Sequence, residues 1–306
     1  MLSRIAENLY WLGRYLERAE NTARLLDVNY YAVAEAPVEG IAGDWWRRLL
    51  RSLEVEGVEP NEAAVVQWLA FDLANGSSIR SCIWRVRENA RTTRFHLNLE
   101  FWEEVNSLFN RCYYGTENVM EQETLHDYCV QVRLASHQMM GIAELTMPRD
   151  ASFYFLRMGR YLERADNMLR VLQTYIEGGD LTKEAELQNH FNRSLLRSVG
   201  ALEAYRKVHH TTLETMRIGD FLLLGDDFPR SVHFSVDGLK RATEAARRHS
   251  GGVGRECVRK AGKLAATMEY LENAGQVFKK KDPDLEELLE SLADIHNEFS
   301  KAYFGY

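Results

Sequence analysis

With 306 residues, 45% hydrophobic and 27% charged, the chain can bury one large core or two smaller ones, and it contains no apolar run approaching the roughly 18–20 residues of a membrane span. A net charge of −7 argues against general nucleic-acid binding, which relies on a basic surface. Four scattered cysteines (Cys82, Cys112, Cys129, Cys257), with no CxxC pair, fit reduced thiols in a cytoplasmic protein rather than a disulfide or zinc framework.

In chain order, the opening Met-Leu-Ser-Arg-Ile-Ala-Glu-Asn reads as the start of a helix, not as a signal segment. Ile5, Leu9, Leu12, Leu16, Ala19, Ala23 and Leu26 follow the three-four spacing of a helix stripe, with Ser3 as its expected N-cap. Breaks fall at Ala36-Pro37, Glu59-Pro60-Asn61 and Asn75-Gly76-Ser77, and Ser78 then caps a long helix. Residues 116–146 are expected to form another long helix. After Met147-Pro148, Asp150 caps a stripe of Phe155, Met158, Leu162, Ala165, Leu169 and Leu172. Further breaks follow at Gly178-Gly179-Asp180, at residues 225–229, at Ser250-Gly251-Gly252 and at Lys281-Asp282-Pro283. Asp284 and Glu287 have the spacing of a capping box.

The sequence Gly-Arg-Tyr-Leu-Glu-Arg-Ala occurs at residues 13–19 and again at 159–165, 146 positions later. A repeat of that length and spacing points to a duplicated unit. Trp68-Leu69 followed by Asn75-Gly76-Ser77-Ser78-Ile79 matches Phe221-Leu222 followed by Phe228-Pro229-Arg230-Ser231-Val232, now 153 positions apart. No alternating β-branched stretch calls for a sheet. The expected fold is all-α: two tandem, pseudo-symmetric helical-bundle halves from an internal duplication. Residues 1–147 and 148–306 would each hold about six helices, packed as one unit.

On a helical wheel at about 100° per residue, Tyr10, Arg14, Glu17, Arg18 and Asn21 share a polar face, and Arg160, Glu163, Arg164 and Asn167 take the same places in the second copy. Arg170 matches Arg24. The apolar side drifts between copies (Leu12 to Met158, Ala23 to Leu169), whereas these polar residues do not. Surface charges usually swap at little cost, so this face meets something. Two readings stay open: a buried ion-pair network holding Glu17 and Glu163, or a pocket whose arginines clamp a carboxylate or phosphate in fork geometry. Gly13 and Gly159 suit close helix contact in either.

A second arginine ladder, Arg80, Arg87, Arg91 and Arg94, shares one helix face with Trp84 among it. It is either a solvated basic face or, through Arg87 and Arg91, the completion of the same anion cradle. Arg206 and Arg230 are weaker candidates of that kind. Glu123-x-x-His126 has half the spacing of a di-iron site but no second copy, and His126 with Cys129 supplies too few ligands, so neither metal nor cofactor is expected. His209-His210 reads as helix surface or turn, and residues 251–255 as an interhelix loop. No phosphate-loop, zinc-protease or nucleophile-elbow motif occurs.

Residues 1–24 closely resemble the start of the bacterial alpha-E domain family, as do Arg-Glu-Asn-Ala-Arg at 87–91, Leu-Glu-Ala-Tyr-Arg at 202–206, Asp-Phe-Leu-Leu-Leu at 220–224 and Pro-Arg-Ser at 229–231. The resemblance implies an all-helical protein encoded beside, or fused to, circularly permuted ATP-grasp ligase-like proteins, often near transglutaminase-like peptidases. It implies a part in making or modifying a peptide or amide-linked product. The first-half turn departs from the family's Asp-x-x-Asn-Pro-x-Ser, reading Asp72-Leu-Ala-Asn-Gly-Ser-Ser78. The expected function is a non-catalytic partner of such a ligase, binding an anionic ligand through the Arg/Glu faces. The alternatives are an enzyme of amide chemistry using Glu17 or Glu163 as general acid/base, and a purely structural network with a protein-interaction role.

Overall fold

Two long helices set the architecture, and both come from the stripes noted above. In the computed structural model, α1 (Ser3–Ala34) buries Leu9, Leu12, Leu16, Ala19, Ala23 and Leu26, and α7 (Ala151–Glu177) buries Phe155, Met158, Leu162, Ala165, Leu169 and Leu172. The structure describes residues 3–37, 40–113, 122–177, 185–210, 213–278 and 284–305. Among these, regular structure is helical and no strand occurs. The breaks at residues 178–180 and 281–283 lie outside the described residues, as do residues 116–121 of the expected long helix.

α1 and α7 pack against each other more extensively than any other pair of elements. α4 (Ile79–Thr92) and α6 (Gln122–Thr146) also pack on α1, while α11 (Val232–His249) and α14 (Leu285–Phe299) pack on α7. α2 (Ala42–Ser52) packs on both α1 and α7, and α8 (Ala185–Ser198) packs on α1. The main core is one continuous apolar cluster running from Ala6 to Phe304, and a smaller cluster gathers Ala32, Trp45 and Leu187.

Local signals behave as their chemistry requires. Ser78 and Ser231 accept from the backbone N–H groups of Ser81 and Phe234, capping α4 and α11. Asp284 and Glu287 form the reciprocal capping box of α14. Asp150 accepts from the N–H groups of Ser152 and Phe153 at the head of α7. Ser3 is the first residue of α1 rather than its cap.

The helix crossing explains the repeated glycine. A Cβ on Gly13 would collide with the carbonyl oxygen of Leu156, and one on Gly159 with the carbonyl oxygen of Tyr10. Each helix thus presses its backbone onto the glycine of the other, closer than any larger residue permits.

Candidate functional site

That close approach brings the two polar faces together. Glu163 of α7 receives Arg14 Nε at 2.6 Å, Arg18 Nε at 2.6 Å and Arg18 Nη2 at 3.1 Å, all from α1. Reciprocally, Glu17 of α1 receives Arg160 Nε at 2.9 Å and Arg164 at 2.5 and 2.8 Å from α7. The bidentate forks hold internal carboxylates, not an external anion. Glu17 is 3% exposed and Glu163 1%. Burial alone would raise both carboxyl pKa values, but Arg164 and Arg160 at Glu17, and Arg14 and Arg18 at Glu163, outweigh it and hold each at about 2. A general acid or base at neutral pH requires the opposite shift, so neither glutamate fits that role.

The next turn repeats the pairing at longer reach. Arg24 bonds Glu20 of its own helix, and Arg170 bonds Asp166 at 2.8 and 3.1 Å. Arg18 Nη1 donates to Ser77 Oγ at 3.2 Å, while Arg164 Nη1 donates to the carbonyl of Pro229 at 3.1 Å. The turns before α4 and α11 therefore meet corresponding arginines.

Beyond this point the two sides differ. On the Glu17 side, Arg230 reaches in and places Nη2 2.7 Å from Glu20 Oε1, and His137 Nε2 lies 3.3 Å from the same atom. Arg230, a weak candidate from sequence, thus closes that side. On the Glu163 side a serine, Ser77, stands at the corresponding turn, and a cleft of about 370 Å³ opens. Arg14, Arg18, Glu163, Asp166, Asn167 and Arg170 of the repeated face line it, with Asn75 and Ser77, the α2 end at residues 52–55, and His296 of α14. Burial, reinforced by Arg14, pushes His296 down to about 4, so it is neutral at physiological pH. Its Nδ1 lies 2.9 Å from Tyr10 Oη.

Of the residues singled out from sequence, Arg14, Arg18, Glu163 and Asn167 line this cleft, while Glu17, Arg160 and Arg164 belong to the closed side. Asn21 is buried. Arg87 and Arg91 do not complete the site. Cys82, Ile83, Val86 and Ala90 turn inward from α4. Arg87 therefore lies over the Phe109 ring at 4.5 Å and bonds Asn106, and the exposed Arg91 bonds Glu88. Arg80 and Arg94 stack on Tyr113 and Trp102. His126 bonds Asp27, the side chain of Glu123 lies outside the described residues, and among described residues no group of His, Cys, Asp and Glu could hold a metal.

Glu54 escaped the sequence reading. It follows α2 with φ +53°, donating its N–H to Arg51 O while Val55 N–H donates to Leu50 O. This is the left-handed helix ending that glycine normally fills. Gly200 does fill it after α8, with φ +66° and the same two hydrogen bonds, to Arg197 and Leu196. Glu54 bears a carboxylate there, paired with Arg170. The available signal was spacing: Glu54 and Gly200 are 146 positions apart, the offset of the repeated seven residues.

These features define an all-helical protein organised around two Glu-Arg pairs that lock each other across a helix crossing. The chain belongs to the Alpha-E family, described as a predicted alpha-helical domain with a conserved ER motif, whose family model matches residues 1–304. Glu17-Arg18 and Glu163-Arg164 are two such pairs in this chain. No curated protein and no solved structure matches it. Among the described residues, no helix is long and apolar enough to cross a membrane.

Proposed function

We propose that this protein is a non-catalytic binding component that works beside an ATP-grasp-type ligase in making or modifying a peptide or amide-linked product. The ligase partnership comes from the family resemblance. The single observation that supports the binding reading is the open polar cleft on the Glu163 side, where the closed side has Arg230. Because Glu17 and Glu163 are ionised and fully paired, they serve as scaffold. The acidic group expected of the ligand rests against Arg18, a cleft-lining arginine whose side chain keeps 23% exposure and whose Nη1 bonds the neutral Ser77 rather than a carboxylate. The nearly alike faces of α1 and α7 further support an origin of the two halves by duplication.

A thermal-shift screen with glutamate, phosphate, ATP, ADP and short acidic peptides tests this. A ligand that binds only the native state raises the melting temperature by mass action. The expected shift disappears in Arg18→Ala and persists in Arg230→Ala, whose site is on the closed side. Equal shifts in both variants, or none in the wild type, overturn the acid-binding cleft. Adding the protein to a purified ATP-grasp-type ligase is expected to raise the rate of amide formation, and an unchanged rate argues against the partnership.

A further inference from the structure

The closed side is a template for what the open side lacks. Around Glu17 and Glu20 stand four arginines, Arg24, Arg160, Arg164 and Arg230, with glycine (Gly200) at the neighbouring helix end. A Cβ at Gly200 would lie 3.1 Å from Arg24 Nη1, so that helix end abuts the arginine corresponding to Arg170. Around Glu163 and Asp166 stand three arginines, Arg14, Arg18 and Arg170, with Glu54 at the matching helix end. The open side has therefore lost one cation, since Ser77 replaces Arg230, and gained one carboxylate, since Glu54 replaces Gly200. Both changes fall at the cleft. Glu54 also holds a left-handed backbone that a glycine would adopt without strain.

We propose that the cleft takes a second guanidinium group, from a ligand, seated on Asp166 next to Glu54 and beside Arg170, which already spans these two carboxylates, as Arg230 seats against Glu20 beside Arg24 on the closed side. In the closed arrangement Glu20 Oε1 accepts from Arg24 and Arg230 together. Asp166, already bonded by Arg170, stands ready to accept in the same way. Guanidinium is favoured over ammonium because its planar fork suits two carboxylates at once. The inference rests on the reading of the cleft as a ligand site and names the second charge of the ligand. With the acidic group at Arg18, it describes an arginine-like compound or an arginine side chain near a peptide's carboxyl end.

Isothermal titration of the full chain with agmatine, and separately with a short acetylated peptide amide containing one arginine, tests this. One site is expected for at least one probe. Tighter binding of the peptide identifies a side chain as the source, and binding of agmatine alone identifies a free small molecule. Ser77→Arg, which supplies the missing guanidinium from within, and Glu54→Gly, which restores the closed-side residue, are each expected to weaken binding at least tenfold. Glu54→Gly relieves the backbone, so it is expected to melt no earlier than wild type, separating lost recognition from lost folding. Absence of binding by both guanidinium probes, or wild-type affinity in both variants, overturns the proposal. If glutamate or phosphate still shifts the wild-type melting temperature in that case, the acid-binding cleft stands alone. If no ligand of either charge acts, both readings fall.

Discussion

Gly13 and Gly159 each lie under a carbonyl of the opposite helix, Leu156 over the first and Tyr10 over the second. The obstacle to a side chain at either position is backbone, which cannot swing away as a flexible side chain would. Gly13→Ala and Gly159→Ala are each expected to destabilise by about 2–3 kcal/mol despite the better helix propensity of alanine, because overpacking forces the helices apart. Urea unfolding measures it. A neutral or stabilising alanine would show that the crossing is looser than described.

Separating the helices would also stretch the ion pairs they carry. Glu163→Gln leaves Arg14 and Arg18 around a neutral amide, and Glu17→Gln does the same to Arg160 and Arg164. Removing one partner of a buried ion pair typically costs about 3–5 kcal/mol. Glu88→Gln, which breaks the surface contacts with Arg91 and Arg87, is the control and is expected to leave stability close to wild type. Similar losses in all three variants would contradict a buried, load-carrying lattice.

Acid should unfold the protein in two overlapping stages. His296 is depressed to about 4 from its ordinary 6.5, so the unfolded chain takes up its proton first and stability begins to fall below about pH 6.5. Glu17 and Glu163 are depressed to about 2 from 4.5. Their contribution is complete above the unfolded value and is lost as pH falls through roughly 5 towards 2. Melting temperature followed from pH 7 to pH 3 should decline throughout and steepen below pH 5. A flat profile would exclude the paired glutamates as a stability determinant.

All four thiols are buried, and burial pushes Cys82 and Cys257 up to about 12 and Cys112 up to about 11. Since the thiolate is the reactive form, iodoacetamide is expected to leave the native protein unlabelled at pH 7.5 and to label four cysteines in urea, read by mass spectrometry. Rapid native labelling of any one would locate a local opening.

The sequence made the long helices, the serine caps of α4 and α11 and the last capping box legible, because periodicity and capping are local chemistry. It also showed that the face of Arg14, Glu17 and Arg18 is not free surface. Whether that face met a ligand or its own counterpart depended on a contact between residues about 145 apart, which no local pattern encodes. The Arg80–Arg94 ladder stayed open between a solvated basic face and part of the site for a related reason. Four arginines on one face do not reveal which way the helix turns, and α4 is turned by the burial of Cys82, Ile83, Val86 and Ala90. Glu54 and Ser77 were harder still. Neither is unusual alone, and each acquires meaning only beside Gly200 and Arg230.

The reciprocal bonding of Glu17 and Glu163 has a consequence for self-recognition. Each helix offers one glutamate and two arginines, and asks of its neighbour one glutamate and two arginines. Nothing in the exchange distinguishes giver from receiver. Two separate polypeptides, each bearing a single copy of the motif, would satisfy one another in the same way, so the crossing of α1 and α7 has the form of an isologous dimer interface enclosed within one chain.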